Sequence, residues 1–584
     1  MCGIIGYNGT DDAIPYLVEG IKNLEYRGYD SFGCAFDKGN SIVIKKDIGR
    51  VEDVINKYKL QNLHSNRGVF HTRWATTGSV TVENAHPIMD CTGRIAVAHN
   101  GIIENWTELK DSLHGHKFVS NTDTEVLSHL IEENMKGGNT VVDAVKTVFK
   151  KIKGSSSFVV LNRDSNELVA IKKGSPLVLG LAKNGIFISS DVPSFVKHTN
   201  RVIYLFDGDM AIIGKKHYKI SNLISKKIKH NVSIANFSAK DADKGGYEHF
   251  MLKEIMEQPG LLKKLEMSDF GEILKIAPLL KTASGVYLVG AGTSFHAARL
   301  GARMFRENGI NAIPVQGQDL ITYKNVILPN DVFIIISQSG ETADIITALP
   351  IIKANRKIGI INVEGSTLSR AVDILVSLNT GPEKSVASTK AFTLSAVYLT
   401  LIAAATAGTL ENAISDLKLM NINMYNLLVP SVLAVIRSAA EKINRLDSIF
   451  FLGRDYNYIV AVEAALKMKE VAYIHAEAID AATFKHGPIA LVSDKTYAIA
   501  FVSGAIEKET LNNLQEVKAR GCKIIGIANK PQDVFDIFIR TQDAGRFDFV
   551  MQAIIAQLLA YETARKKGLD IDHPKNLAKS VTTL

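Results

Sequence analysis

Cysteine is scarce in this chain: Cys2, Cys34, Cys91 and Cys522 are the four among 584 residues. They are scattered, with no C-x-x-C pair and no secretory leader. A disulfide framework is thereby excluded, and the setting reads as reducing cytoplasm. No Cys/His cluster has zinc spacing, so no metal is expected. There is no G-x-x-x-x-G-K-[ST] loop, which argues against a nucleotide triphosphatase. Gly290-Ala291-Gly292 lacks the third glycine of a dinucleotide fingerprint. Neither charge dominates: 68 basic against 60 acidic residues leave a formal +8, a balance that suits solubility rather than a nucleic-acid face. The densest basic patch, Lys226-Lys227-Ile228-Lys229-His230, has no interleaved aromatics and is given no nucleic-acid role. Only one long run is free of charge, Ala391 to Leu410, and it is long enough to cross a bilayer. Its hydroxyls (Thr393, Ser395, Thr400, Thr406 and Thr409) and its alanine content read instead as a helix buried in a soluble α/β domain, so no membrane partner is expected.

What is present begins at the second residue. Met1-Cys2-Gly3-Ile4-Ile5-Gly6 places a cysteine where removal of the initiator methionine would give it a free α-amine. That amine titrates near 7.7–8.0, so it can serve as base for its own thiol. The Gly-Ile-Ile-Gly run reads as a buried strand that fixes the chain end. Acyl transfer then needs an oxyanion hole, for which Asn100 and the Gly101 N–H are the right groups. An amino-acid substrate needs a fork for its carboxylate and an acid for its ammonium, and Arg73 and Asp123 are the right types. Taken singly, each has a plain reading. Asn100-Gly101 reads as a turn breaking the strand Arg94–Asn105, Arg73 as a surface pair, and Asp123 (or a neighbouring Thr) as a helix cap. The strands Ser157–Leu161, Leu168–Lys172, Gly185–Ser189, Val202–Phe206 and Met210–Ile213 suggest a second sheet stacked on a first.

Together these motifs, with Leu24-Glu25-Tyr26-Arg27-Gly28-Tyr29-Asp30-Ser31, His71-Thr72-Arg73-Trp74-Ala75-Thr76 and Thr122-Asp123-Thr124-Glu125, resemble the class II glutamine amidotransferase domain. The resemblance implies an αββα N-terminal-nucleophile fold in which Cys2 attacks the glutamine amide and Asn100 with Gly101 holds the oxyanion. Arg73, Trp74, Thr76 and Asp123 would bind glutamine, with Trp74 gating the exit of ammonia. Thr77 stands where the family usually has His.

At 584 residues two to four domains are expected. Beyond about residue 275 the chain repeats. Val286–Gly290 matches Ile449–Gly453, Phe333–Ser337 matches Ile499–Ser503, and Ile358–Asn362 matches Ile525–Asn529, with offsets of 163, 166 and 167 residues. Strand, glycine- or serine-rich turn, then helix recurs throughout, which argues for duplicated parallel sheets with the turns at the strands' carboxyl ends. Ser337-Gln338-Ser339-Gly340-Glu341-Thr342 reads as a phosphate cradle, and Gly290-Ala291-Gly292-Thr293-Ser294 as a weaker one. Glu463, Lys467 and Glu470 share one face of a helix over 462–471, plainly read as a surface ion-pair ladder.

These loops, with Val386-Ala387-Ser388-Thr389-Lys390, Tyr473-Ile474-His475-Ala476-Glu477, Lys485-His486-Gly487-Pro488 and the tail Pro574–Thr582, resemble the glutamine–fructose-6-phosphate aminotransferase (isomerizing) family over almost the whole chain. The implied fold is α/β multidomain: a glutaminase domain at 2–238, a linker with connecting helix at 239–274, sugar-isomerase (SIS) doubly wound domains at 275–411 and 441–574, and a catalytic tail at 575–584. The implied substrates are L-glutamine and D-fructose 6-phosphate, with no cofactor and no metal. Ser337, Gln338, Ser339 and Thr342 would hold the phosphate, while Ser294, Val386 and Ala578 line the sugar. His486 would help open the ring from a neighbouring subunit, implying a homodimer with a shared active site. Lys579 would form a Schiff base at C2, and Glu470 would move a proton between C1 and C2, steadied by Lys467. Another class II amidotransferase, an amidotransferase-fused sugar-phosphate deaminase and a non-catalytic sugar-phosphate sensor are the alternatives.

Overall fold

The computed structural model describes residues 2–224, 230–235, 241, 243–353 and 355–580. The basic patch at Lys226–Lys229 therefore lies outside the described residues. So do residues 236–238 at the end of the expected glutaminase domain, residues 239–240 and Ala242 of the expected linker, and residues 581–584 of the tail. The chain divides into two compact units. The first is Met1–Asp243 with Gly365–Thr367 and Ala578–Leu584, and the second is Lys244–Glu364 with Leu368–Leu577.

In the first unit, strand β1 (Gly3–Gly9) has all seven residues buried, because both of its faces are covered. Alternation decides what each side chain meets. Ile4 points into the apolar layer shared with Val69, Ala96, Ala98 and Val159. Ile5 and Tyr7 point the other way, to Ile14, Leu17, Val54 and Ile55 of the covering helices. β1 sits inside an eight-stranded sheet between β2 (Arg67–Arg73) and Gly185–Ser189, antiparallel to both. A six-stranded sheet carries β3 (Ile95–Ile103), and α1 (Thr124–Lys136) packs on its outer face through Val126, Leu127, Leu130 and Ile131. Helix, sheet, sheet, helix is the layer order.

Two local expectations are corrected here. Gly185–Ser189 and Arg201–Tyr204 do not join the second sheet: Ser189 pairs with Ile5 of β1, so both belong with the first. Nor does Asn100-Gly101 make a turn. β3 runs straight through it, with Asn100 opposite Ser157 and Gly101 opposite Ser156. Glycine permits this because φ is +133° at Gly101, and a Cβ there would sit 2.0 Å from the Ser155 carbonyl oxygen.

The second unit holds two five-stranded, all-parallel sheets of the same strand order. The first runs Ala312–Gln316, β4 (Val286–Gly290), β5 (Val332–Ser337), Arg356–Ile361, Ile374–Ser377. The second runs His475–Asp480, β6 (Ser448–Gly453), β7 (Tyr497–Val502), Lys523–Ala528, Ile537–Arg540. Helices α2 (Thr293–Glu307) and α4 (Tyr456–Ala472) follow β4 and β6, and pack on one another. The uncharged run forms α3 (Lys390–Ala407), long and apolar enough to cross a membrane by composition alone, yet 83% buried in the core of this unit.

Candidate active site

Cys2 lies just ahead of β1, half-buried, and its thiol is held by one neighbour. Sγ accepts from the Trp74 N–H at 3.2 Å and donates to the Trp74 carbonyl at 3.4 Å. Burial pushes the thiol above its ordinary value, against the pull of Arg73 and the Trp74 amide. A thiol so placed needs a base within reach to become a nucleophile.

Asn100 faces it across the two sheets. Its Nδ2 donates to the Cys2 carbonyl at 3.0 Å and to Ser190 Oγ at 2.9 Å. What orients the amide is His71, whose Nε2 lies 3.1 Å from both Asn100 Oδ1 and the His99 carbonyl. Two acceptors around one ring nitrogen require that nitrogen to carry the hydrogen. Burial pulls His71 down to about 3 and also lowers His86 and His99, so the three rings stay neutral, and His71 and His86 each donate to the His99 carbonyl. His71 and Ser190 as positioning groups were missed in the sequence, where one was a motif letter and the other a lone serine far along the chain.

Arg73 is almost fully buried, and its guanidinium holds the loop that follows it, donating to the carbonyls of Thr77 (2.5 Å), Gly78 (3.2 Å) and Ser79 (3.1 Å). The surface-pair reading is therefore wrong. Thr76 is exposed at the tip of that loop, and the Trp74 ring packs edge-on against Tyr29 at 5.7 Å. Asp123 occupies the N-cap position of α1 but does not cap it. Its carboxylate accepts from the Ile103 N–H at 2.7 Å, while Thr122 Oγ1 takes the Thr124 N–H at 3.1 Å. Cys2, Asn100, Arg73 and Trp74 thus share one neighbourhood, and β3 ties Asp123 to the strand that carries Asn100.

In the second unit, β4 and β5 are where the strand order reverses, the place at which doubly wound sheets bind ligands. Both serine-bearing loops lie there. Ser337 is buried; its Oγ accepts from the Gly340 N–H at 2.9 Å and lies 3.3 Å from Thr342 Oγ1. Ser339 Oγ accepts from the Glu341 N–H at 3.2 Å. Gly340 has φ +64°, which lets the turn close on itself. Gln338 is half-buried in the same loop, and Ser294 sits half-buried on the first turn of α2. Val386 lies in a loop pinned by two buried carboxylates. Glu254 accepts from the Lys384 and Ser385 N–H groups, and Glu383 from those of Thr389 and Ala391.

Glu463, Lys467 and Glu470 are no surface ladder, because α4 packs on α2. Lys467 is fully buried, and its three N–H donors find Thr293 Oγ1 at 3.0 Å, Glu463 at 3.3 Å and Glu470 at 2.6 Å. His296 Nδ1 lies 2.6 Å from the other Glu463 oxygen. Burial alone would lower Lys467 and raise Glu463. The mutual charge outweighs it, so Lys467 stands above and Glu463 below its ordinary value. His486 is exposed after the edge strand of the second sheet, whereas Ala578 and Lys579 are half-buried and belong to the first unit.

The glutamine amidotransferase domain family matches residues 71–197, and the SIS domain family matches 279–405 and 442–536. The glutamine–fructose-6-phosphate aminotransferase (isomerizing) of Pyrococcus horikoshii is 40% identical, with all of both chains covered. That of Thermococcus kodakarensis is 37% identical, again over the whole of both chains. Among solved structures, the C-terminal domain of glucosamine-fructose-6-phosphate aminotransferase from Francisella tularensis is 32% identical, with a TM-score of 0.53; it covers 57% of this chain and all of its own.

Proposed function

The chain belongs to the glutamine–fructose-6-phosphate aminotransferase (isomerizing) family, and from that premise we propose that it moves the amide nitrogen of L-glutamine to D-fructose 6-phosphate, giving D-glucosamine 6-phosphate and L-glutamate. One observation carries the reading. A thiol with an oriented side-chain amide and a hydroxyl-lined loop at a sheet's crossover point occur in one polypeptide.

Once Met1 is removed, the α-amine of Cys2 takes the thiol proton and the thiolate attacks the glutamine amide carbon. Asn100 Nδ2 and the Gly101 N–H stabilise the oxyanion, Arg73, Trp74 and Thr76 bind the substrate, and Asp123 takes its ammonium. Ammonia leaves with a proton, and water hydrolyses the thioester to glutamate. At the sugar site Ser337, Gln338, Ser339 and Thr342 hold the phosphate, with Ser294, Val386 and Ala578 around the hexose. Lys579 condenses with the C2 ketone and loses water; ammonia then displaces the lysine. Glu470 carries the C1 proton to C2, turning the ketimine into the amino aldose, and Lys467 holds that carboxylate in place. The domain boundaries 2–238, 275–411 and 441–574, with a catalytic tail at 575–584, fit this division of labour. We assign a cytoplasmic location, in keeping with four free cysteines. The same proposal includes a homodimer in which His486 serves the neighbouring subunit: it is exposed on the single chain, and Leu491 beside it is 67% exposed.

The test is product formation from glutamine plus fructose 6-phosphate. Cys2→Ala is expected to lose it entirely with glutamine and to regain it with an ammonium salt. A variant that ammonium cannot rescue would show that no separate ammonia-using site exists. Ammonia release from glucosamine 6-phosphate without synthesis would favour the deaminase.

A further inference from the structure

Four side chains outside the glutamine site converge on one point of the first unit. Cys91 comes from the turn between Ile88–Met89 and β3, His116 from the loop before α1, and His129 and Glu132 from the buried face of α1. Their spacing, one cysteine followed by histidines 25 and 38 residues later, matches no sequence motif for a metal, which is why the sequence suggests none.

The distances match a coordination shell. His116 Nδ1 lies 3.2 Å from His129 Nδ1, and Glu132 Oε2 lies 3.2 Å from the first and 3.3 Å from the second. Cys91 Sγ lies 3.7 Å and 3.5 Å from the same two nitrogens. A tetrahedron with metal–nitrogen and metal–oxygen bonds near 2.0–2.2 Å and a metal–sulfur bond near 2.3 Å has edges of about 3.3–3.6 Å. Hydrogen bonding alone accounts poorly for this grouping: two imidazoles aim the same ring nitrogen at one another and at a carboxylate and a thiol. The outer shell is also built as metal sites require. The far nitrogen of His116 meets Glu133 at 2.9 Å and that of His129 meets Glu125 at 3.4 Å, so both rings present Nδ1 inward. Glu125 is itself fixed by the Val119 and Ser120 N–H groups, and Cys91 Sγ accepts from the Lys117 N–H at 3.3 Å.

The geometry points to a structural zinc site formed by Cys91, His116, His129 and Glu132. The S, N, N, O donor set in a tetrahedral arrangement suits Zn²⁺, and four protein ligands leave no position for a substrate. Binding displaces the Cys91 thiol proton to solvent, while each imidazole keeps its proton on Nε2, towards its carboxylate. The ion would tie the 113–121 loop and the Cys91 turn to α1, and so fix the segment that leads into Asp123.

Purified full-length protein is expected to retain about one equivalent of zinc per chain. On cobalt substitution it should show the visible absorption of a tetrahedral ion with a thiolate-to-cobalt charge-transfer band. That band is expected to vanish in Cys91→Ser and to persist in Cys2→Ala, the other thiol able to bind. His129→Asn should lose the zinc, and chelation should lower the melting temperature of the wild type but not of that variant. The site is refuted if wild-type protein titrated with excess zinc or cobalt takes up neither. It is equally refuted if the cobalt spectrum is unchanged in Cys91→Ser or is lost in Cys2→Ala. Neither readout depends on catalysis.

Discussion

The two SIS copies share a strand order and a backbone, and differ at the very loops where that backbone offers a site. Their helices begin alike: the residue before α2 is Gly292, at φ +54° and ψ −125°, and the residue before α4 is Asp455, at φ +57° and ψ −125°. Gly290 and Gly453 are each pressed on the first turn of the helix that follows, where a Cβ would meet Ser294 at 2.6 Å and Asn457 at 2.4 Å. In the first copy, Ser337 keeps its hydroxyl within its own loop, beside Thr342. In the second, Ser503 is bound by Asn457, which gives and receives a hydrogen bond at 3.1 Å. A crevice of about 380 Å³ remains there, lined by Arg454, Asp455, Ser503 and Gly504 among others. The hydroxyl cradle does not, because Ser503-Gly504-Ala505-Ile506 offers one hydroxyl where the first copy has three. The second copy contributes charge instead, through α4. Duplication supplied two equal frames, and the proposed chemistry divides between them.

That division breaks most visibly at Lys467. Lys467→Met leaves the Glu463 and Glu470 carboxylates without the ammonium between them, with His296 Nδ1 still 2.6 Å from Glu463. Removing one partner of a buried pair costs about 3–5 kcal/mol. The expected outcome is a melting transition of the second unit lowered by many degrees and loss of sugar amination. Glutamine hydrolysis, proposed at Cys2 in the other unit, should survive. Unchanged stability would mean that the cluster is solvated, and that the two copies differ less than their side chains suggest.

A smaller effect separates the two serines. Ser337→Ala removes one hydroxyl from the proposed phosphate cradle. Hydrogen bonds to a charged group contribute about 1.5–3 kcal/mol, so KM for fructose 6-phosphate should rise by about tenfold to a hundredfold. Ser503→Ala, its counterpart, should leave KM alone and cost about 1 kcal/mol of stability through Asn457. Equal effects on KM from both would show the sugar phosphate using both crossover points.

The duplication was legible in the sequence because β-strands buried on both faces leave short apolar runs ending in glycine, serine or asparagine, and three such runs recur at offsets of 163 to 167 residues. Cys2 and Asn100-Gly101 were legible as residue types. The Asn-Gly pair was misread as a turn because its geometry is decided by a strand arriving 50-odd residues later, opposite Ser156 and Ser157. The partition of the two sheets failed for the same reason: β1 chooses Gly185–Ser189 as its neighbour, and nothing local to either segment records that choice. Glu463, Lys467 and Glu470 have the spacing of an exposed ladder, and tertiary packing, which brings Thr293 and His296 of α2 onto α4, withdraws Glu463 and Lys467 from water. Charge spacing along a helix shows which residues meet, but not whether water meets them too.

The least effect expected is the most direct measure of how far the copies share a backbone. The positive φ before each helix suits glycine, and a side chain there is strained by about 1–3 kcal/mol. The first copy avoids the strain with Gly292, around which a Cβ would meet nothing within 4 Å. Gly292→Ala should therefore destabilise through dihedral strain alone, by about 1 kcal/mol. The second copy bears the strain at Asp455, whose carboxylate holds Arg303 of α2 at 2.6 Å and so joins the two domains. Asp455→Gly relieves one and loses the other, and its net change should be within about 1 kcal/mol of zero. Asp455→Ala keeps the strain without the ion pair and should be the less stable of the two. Thermal melts of the three variants decide it: were Asp455→Ala as stable as Asp455→Gly, the residue would not be strained, and the shared dihedral would be a resemblance of shape without a shared cost.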